Sequence, residues 1–139
     1  MSERTAFVIK TEIREPRSRI FSFRAQKTMY GGRTIAAGDT IFLFASENEG
    51  GEGLIALGVV VSASATPRKA GVARQTPRVS ITVRRTRFSK RRMGRRELKP
   101  FDHWDDWRPE TELNFKLYRQ ATNKIVAISR TAEAFLRRC

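Results

Sequence analysis

Apolar residues along this chain fall mostly in short blocks separated by polar or glycine-bearing stretches. Ala6-Phe7-Val8-Ile9 is aromatic and β-branched and ends at the charged stretch before Pro16, which predicts a buried strand. Ile20-Phe21-Ser22-Phe23 reads as a second short extended piece. From Arg24 to Asp39, where Gly31, Gly32 and Gly38 lie, the sequence predicts a short helical turn followed by a loop. Thr40 to Ala45 and Leu54 to Ser62 are strongly apolar and flank the polar, glycine-rich Ser46 to Gly53, the pattern of a β-hairpin with a generous loop. Their near-continuous hydrophobicity marks central strands covered on both faces.

Ala65 to Pro77 has prolines, a glycine and basic residues without apolar periodicity and reads as an exposed connection. In Arg78 to Arg87, Val79, Ile81 and Val83 alternate with polar residues, predicting a half-buried strand with a polar, basic outer face. Ile125 to Ile128 forms a last strand. Ser129 then caps a terminal helix through Arg138, with Ala132, Phe135 and Leu136 turned inward. No internal repeat is present. Several short strands with little helix must protect their edges, and closure into a small barrel does so economically at this length. The expected class is α+β and barrel-like.

Composition adds a partner to this picture. The 139 residues suit one domain, and 40% hydrophobic with 30% charged residues is a globular balance. Lys plus Arg number 28 against 14 acids, a formal net charge of +14. Such a surplus costs self-repulsion, which a polyanion offsets by releasing its condensed counterions, so nucleic acid is the expected partner. An amphipathic basic helix or a lipidation motif, the usual marks of membrane binding, is not found, and no membrane partner is expected. The single cysteine, Cys139, excludes an intrachain disulfide and a cysteine-based metal site. With no secretory pattern in Met1 to Lys10, the cytoplasm is the expected location. Cys139 is read either as the natural end or as a boundary before a further, effector domain.

The densest candidate chemistry is the run Arg84, Arg85, Arg87, Lys90, Arg91, Arg92, Arg95, Arg96 and Lys99, interrupted by one acid, Glu97. These cations repel one another unless phosphates or salt screen them, so they are expected to bind phosphate; the alternative is a solvated loop or an import signal. Phe101-Asp102-His103-Trp104-Asp105-Asp106-Trp107 follows. Its indoles can stack on bases, or one can be core and the other a lid. His103, the only histidine, is expected to be a surface residue, because adjacent carboxylates rarely converge on one metal. Gly50-Gly51-Glu52-Gly53 lacks the Lys-Ser/Thr ending of a phosphate loop and reads as a hairpin turn, with Glu47, Glu49 and Glu52 facing solvent. Neither a metal site nor a cofactor is expected.

The segments Gly38-Asp39, Ile41-Phe42-Leu43-Phe44-Ala45-Ser46 and Gly53-Leu54-Ile55-Ala56-Leu57-Gly58-Val59-Val60 together resemble the central motif of EVE domains in the PUA-like superfamily. Phe7-Val8-Ile9-Lys10-Thr11-Glu12 looks like the first strand of that family, with phenylalanine where tryptophan is often found. Arg119-Gln120-Ala121 with Ile125-Val126 and the terminal helix looks like its closing segment. The basic run and the Trp-Asp-Asp-Trp segment depart from the pattern. The resemblance implies a small mixed β-pseudobarrel flanked by helices, with a pocket for a modified base flipped out of DNA or RNA. By position, Phe44 and Ser46 would line that pocket, with Arg119 and Gln120 near it. Tyr118, Trp104 and Trp107 join them as aromatics able to stack on a base.

Three readings follow. The first is a non-catalytic reader in which the basic run holds phosphates and an aromatic pocket takes one base. The second is a pocketless basic protein associated with RNA or the ribosome. The third is a nucleotide-processing enzyme, for which the sequence supplies no matched acid, base and metal set.

Overall fold

Strand β1 (Ala6–Thr11) is buried along its whole length because it has a hydrogen-bonded neighbour on each side and cover on each face. It pairs in parallel with β3 (Thr40–Ala45) and antiparallel with β6 (Lys124–Ile128). In this computed structural model, which describes residues 6–67, 69–72 and 75–139, β4 (Gly53–Ala65), β5 (Arg78–Phe88) and β2 (Ile20–Met29) complete the sheet. The order is β1-β3-β4-β5-β2-β6 in a closed barrel. Closure gives every described strand a hydrogen-bonded neighbour on both sides, although β2 meets β6 only through Thr28 and Met29.

The period-two alternation of the strands sorts their side chains into two cores. Phe7, Ile9, Ile41, Leu43, Ala56, Val60, Val79, Ile81, Val83 and Ile125 pack together with Phe21 and Phe23 as the barrel filling. The intervening residues Val8, Phe42, Phe44, Leu54 and Val126 face outward, beneath Leu98, Leu113, Leu117, Ala132 and Leu136. Those last five belong to three helices, α1 (Arg95–Leu98), α2 (Pro109–Leu117) and α3 (Arg130–Arg137). Each fully buried side chain of this size contributes about 1.5–3 kcal/mol. The helices therefore lie over β1, β3 and β6, which is why these strands are apolar on both faces.

The predicted hairpin, the alternating strand β5, the last strand and the Ser129 cap are all present; Ser129 Oγ accepts from the amide of Ala132 at 3.1 Å. Two elements differ from expectation. The stretch after Phe23 continues as strand to Met29 and absorbs a register shift between Phe23 and Gln26, with Ala25 at a φ of 49°. The helical turn comes later, as a 3-10 turn over Gly32–Thr34. The second is α2. Pro109 opens it and Glu110 and Glu112 sit in its first turn, where a missing N–H and negative charge suit the helix N-terminus. Its buried side mixes Thr111 and Asn114 with Leu113 and Leu117, so no clean apolar stripe announces it. The described residues of the 65–77 connection beyond Ala65 are largely exposed, as expected; Arg68, Ala73 and Arg74 lie outside the described residues, as do Met1 to Thr5.

Candidate nucleic-acid interface

The basic run is a built segment and not a loose loop. Arg84 and Arg85 belong to β5, and after Phe88 the chain is pinned at several backbone points. Lys90 N and Arg91 N donate to the Cys139 carbonyl at 2.6 and 2.9 Å, and Leu54 N donates to Met93 O at 2.8 Å. Met93 and Leu98 are buried anchors within it. Gly53 and Gly94 let the start of β4 cross this segment closely: a Cβ on Gly53 would lie 2.4 Å from Met93 O, and Gly53 also has a φ of +88°. Lys90, Arg91, Arg92, Arg95, Arg96 and Lys99 remain exposed between these anchors, as does Arg84. Arg85 and Arg87 are half-buried: Arg85 Nε donates to Ser18 O at 3.2 Å, and Arg87 donates to Arg137 O.

At the end of the barrel where β1 and β3 finish, α1 and the end of α2 meet the hairpin loop. Glu47 is the junction. Its carboxylate accepts from the Tyr118 hydroxyl at 3.0 and 3.1 Å and from Arg95 N at 2.7 Å, while Arg95 Nη2 donates to Asn48 Oδ1 at 2.7 Å. Burial, then the Glu47 carboxylate, pushes the Tyr118 phenol far above its ordinary range, so it is a neutral donor. Glu47, Glu49 and Glu52 do not all simply face solvent: Glu49 accepts from Asn123 Nδ2 and Glu52 pairs with Arg92 at 2.6 Å. A groove of about 460 Å³ runs beside this junction, lined by Glu47, Glu52, Arg92, Arg95, Arg96 and Lys99.

Ser46 is buried next to Glu47, and its Oγ has no hydrogen-bond partner among the described residues. Phe44, two residues earlier, is wholly in the core beneath the helices. Tyr118, Arg119 and Gln120 begin the connection from α2 to β6, and two lysines hold that connection. Lys10 Nζ donates to Leu117 O at 2.7 Å and to Ala121 O at 3.3 Å; Lys124 Nζ donates to Gln120 O and Thr122 O, both at 3.0 Å. Lys10 also lies 4.9 Å from the centre of the Tyr118 ring. Burial lowers both amines, with Arg95 adding to the effect on Lys10; Lys124, further lowered by Lys10, falls to about 8. Sequence reasoning gave neither lysine a role and read Glu47 as a solvent-facing loop acid. The available signal was a lysine directly flanking an apolar strand at Ile9-Lys10 and Lys124-Ile125.

The tryptophans lie elsewhere on α2's side of the molecule, and neither is core. Trp104 stands edge-on to Phe115 at 5.4 Å, with the Arg119 guanidinium 5.6 Å from its ring and 4.8 Å from that of Phe115. Trp107 is 93% exposed, has a φ of 60° and makes no ring contact among the described residues. The geometry thus brings Ser46, Tyr118 and Arg95 together through Glu47, and Trp104 together with Arg119. His103 is exposed beside Asp102, and among the described residues no group of three or more His, Cys, Asp or Glu could hold a metal ion.

No protein-family model and no curated protein matches this sequence significantly. Solved structures do match its architecture. The DUF55 domain of human thymocyte nuclear protein 1 superposes with a TM-score of 0.61 at 16% identity, covering 94% of this chain and 95% of that one. A structure of the same human protein with 5-methylcytosine-containing DNA gives 0.62 at 17% identity, covering 94% of each chain. A Leishmania major protein gives 0.64 at 14% identity, covering 98% of this chain and 94% of its own. The fold is the EVE-type, PUA-like barrel. In this EVE-type barrel the mixed six-stranded wall carries all three helices, and the described helices include none long and apolar enough to cross a membrane.

Proposed function

We propose that this chain is a non-catalytic nucleic-acid-binding module that grips phosphates with its 84–99 segment and accepts one modified base at the barrel end. The observation that carries the reading is the joining of the two parts: Arg95, within the basic segment, is hydrogen-bonded through Glu47 to Tyr118, and Glu47 directly follows Ser46, whose buried hydroxyl has no partner among the described residues. A buried polar atom without a partner has a cost that a ligand's hydrogen bond removes. Phe44 supports this floor from the core side, Tyr118 offers a ring, and Arg119 and Gln120 form the rim with Trp104 and Trp107 beyond it. The likeness to a barrel crystallised with 5-methylcytosine-containing DNA favours a modified pyrimidine.

The test is binding to matched single- and double-stranded oligonucleotides, DNA and RNA, with and without modified bases, at two salt concentrations. Phosphate contacts set the salt-dependent affinity and base contacts set preference. A preference for one modified base that persists at the higher salt supports the reading. Uniform affinity that collapses with salt overturns the base site and leaves a phosphate binder.

A further inference from the structure

A second cavity lies on the other side of the Arg92–Glu52 ion pair. Its volume is about 420 Å³, within the range of small-ligand sites, and its wall includes Arg17, Phe88, Lys90 and Arg91. Arg92 and Glu52 line both this cavity and the groove at the barrel end, so the 2.6 Å ion pair stands between the two. Glu52 is the one acid in the wall, and Arg92 neutralises it. Arg17, Lys90 and Arg91 have no ion-pair partner among the described residues.

Phe88 gives this basic cavity its chemistry. It is the last residue of β5, 45% exposed where a phenylalanine is ordinarily buried. The Arg85 guanidinium lies 4.1 Å from the ring centre, and its Nε is fixed by Ser18 O, so the ring is held in place from one side. A rigid, partly exposed ring among unpaired cations is what a stacked base with its phosphate needs.

We propose that this cavity is a second nucleotide subsite, in which a base of a single-stranded segment stacks on Phe88 while Arg17, Lys90 and Arg91 hold its phosphates. The proposal rests on the nucleic-acid reading above and deepens it. A strand whose modified base enters the barrel end passes the Arg92–Glu52 pair and places a neighbouring base here. The preferred form of nucleic acid is therefore single-stranded or locally opened, since paired bases cannot lie on a ring at the protein surface.

The test uses the intact chain and a single-stranded oligothymidine of about twelve nucleotides, set beside a duplex of the same length. Phe88→Ala is expected to weaken single-strand binding roughly tenfold, the effect of one lost base–aromatic contact, and to leave duplex binding within about twofold. Phe88→Trp keeps the affinity, and its added indole emission is quenched by the oligonucleotide. This second variant reads the contact directly, independently of any effect of the alanine on folding. Equal losses on single strand and duplex, no loss at all, or equal quenching by polyglutamate would each overturn the subsite while the wild-type chain still binds nucleic acid. A wild-type chain that binds neither oligonucleotide overturns the functional reading and the subsite together.

Discussion

Lys124 makes the stability of this protein rise with pH, the direction opposite to that of an acid whose pKa burial raises. The residue is buried and the pKa of its amine is lowered from 10.5 to about 8, first by burial and then by Lys10. Between those two values the unfolded chain keeps a proton that the folded chain has released. Stability therefore rises with pH across this window, because the unfolded state binds more protons there. Below about pH 8 both states are charged and the penalty of burying the ammonium is fully present; above 10.5 both are neutral and it is gone. At 1.36 kcal/mol per unit the change is at most about 3 kcal/mol. The neutral amine keeps two N–H groups, enough for Gln120 O and Thr122 O, so the connection it holds stays bonded. The Tyr118 phenol and the Cys139 thiol, both raised by burial, act the other way: the unfolded state ionises them first, and stability falls as pH passes their ordinary values. Urea unfolding of the wild type and of Lys124→Met, at pH steps from neutrality to the lysine range, separates these effects. The stability difference is expected to shift toward the wild type by up to about 3 kcal/mol across the window. Lys10→Met should narrow that window by letting the Lys124 pKa climb. A wild-type-minus-variant difference that stays flat, or moves toward the variant, would refute the reasoning.

Tyr118→Phe removes a hydrogen bond to a carboxylate and should cost about 2 kcal/mol in urea unfolding; adding Glu47→Gln should cost less than the two single losses summed, since they share one bond. Gly53→Ala combines a positive φ with a contact at 2.4 Å to Met93 O, so a loss of roughly 2 kcal/mol or more is expected, with faster hydrogen exchange at the Leu54 amide that bonds Met93. Arg96→Ala and Lys99→Ala, both exposed, should each flatten the slope of log affinity against log salt by about 0.9 for duplex DNA while leaving stability within about 0.5 kcal/mol.

The barrel was legible because its strands are short, apolar and punctuated by turns, and because alternation in Arg78 to Arg87 marks which face is wet. The tail of β2 was not, since Arg24 to Thr28 is polar and its bulge breaks the alternation that identifies a strand. Helix α2 escaped for a related reason: its start signals are present, but Thr111 and Asn114 stand on the buried side and erase the apolar stripe. Asn114 is there to bond Phe101 O at 3.0 Å, a requirement that only the folded chain displays. At the site, the resemblance brought forward Ser46 and Tyr118, whereas Glu47 looked like one of three loop acids. What distinguishes it is a contact 71 residues away in sequence, which local pattern cannot contain.

The same long-range frame explains how the protein keeps so much like charge in one segment. A flexible loop would let nine cations spread apart and would have to be ordered when phosphate arrives, which weakens binding. Here Met93 and Leu98 fix the chain from below and the acids are used largely to hold backbone. Glu47 accepts from Arg95 N, and Glu97 accepts from Gly94 N at 2.9 Å. Glu52, by contrast, takes a guanidinium directly, that of Arg92. Arg91, Arg96 and Lys99 therefore stay exposed and without an ion-pair partner among the described residues, Arg96 and Lys99 on the same groove. Their mutual repulsion is carried in the folded state, and bound phosphates relieve it at the moment of contact.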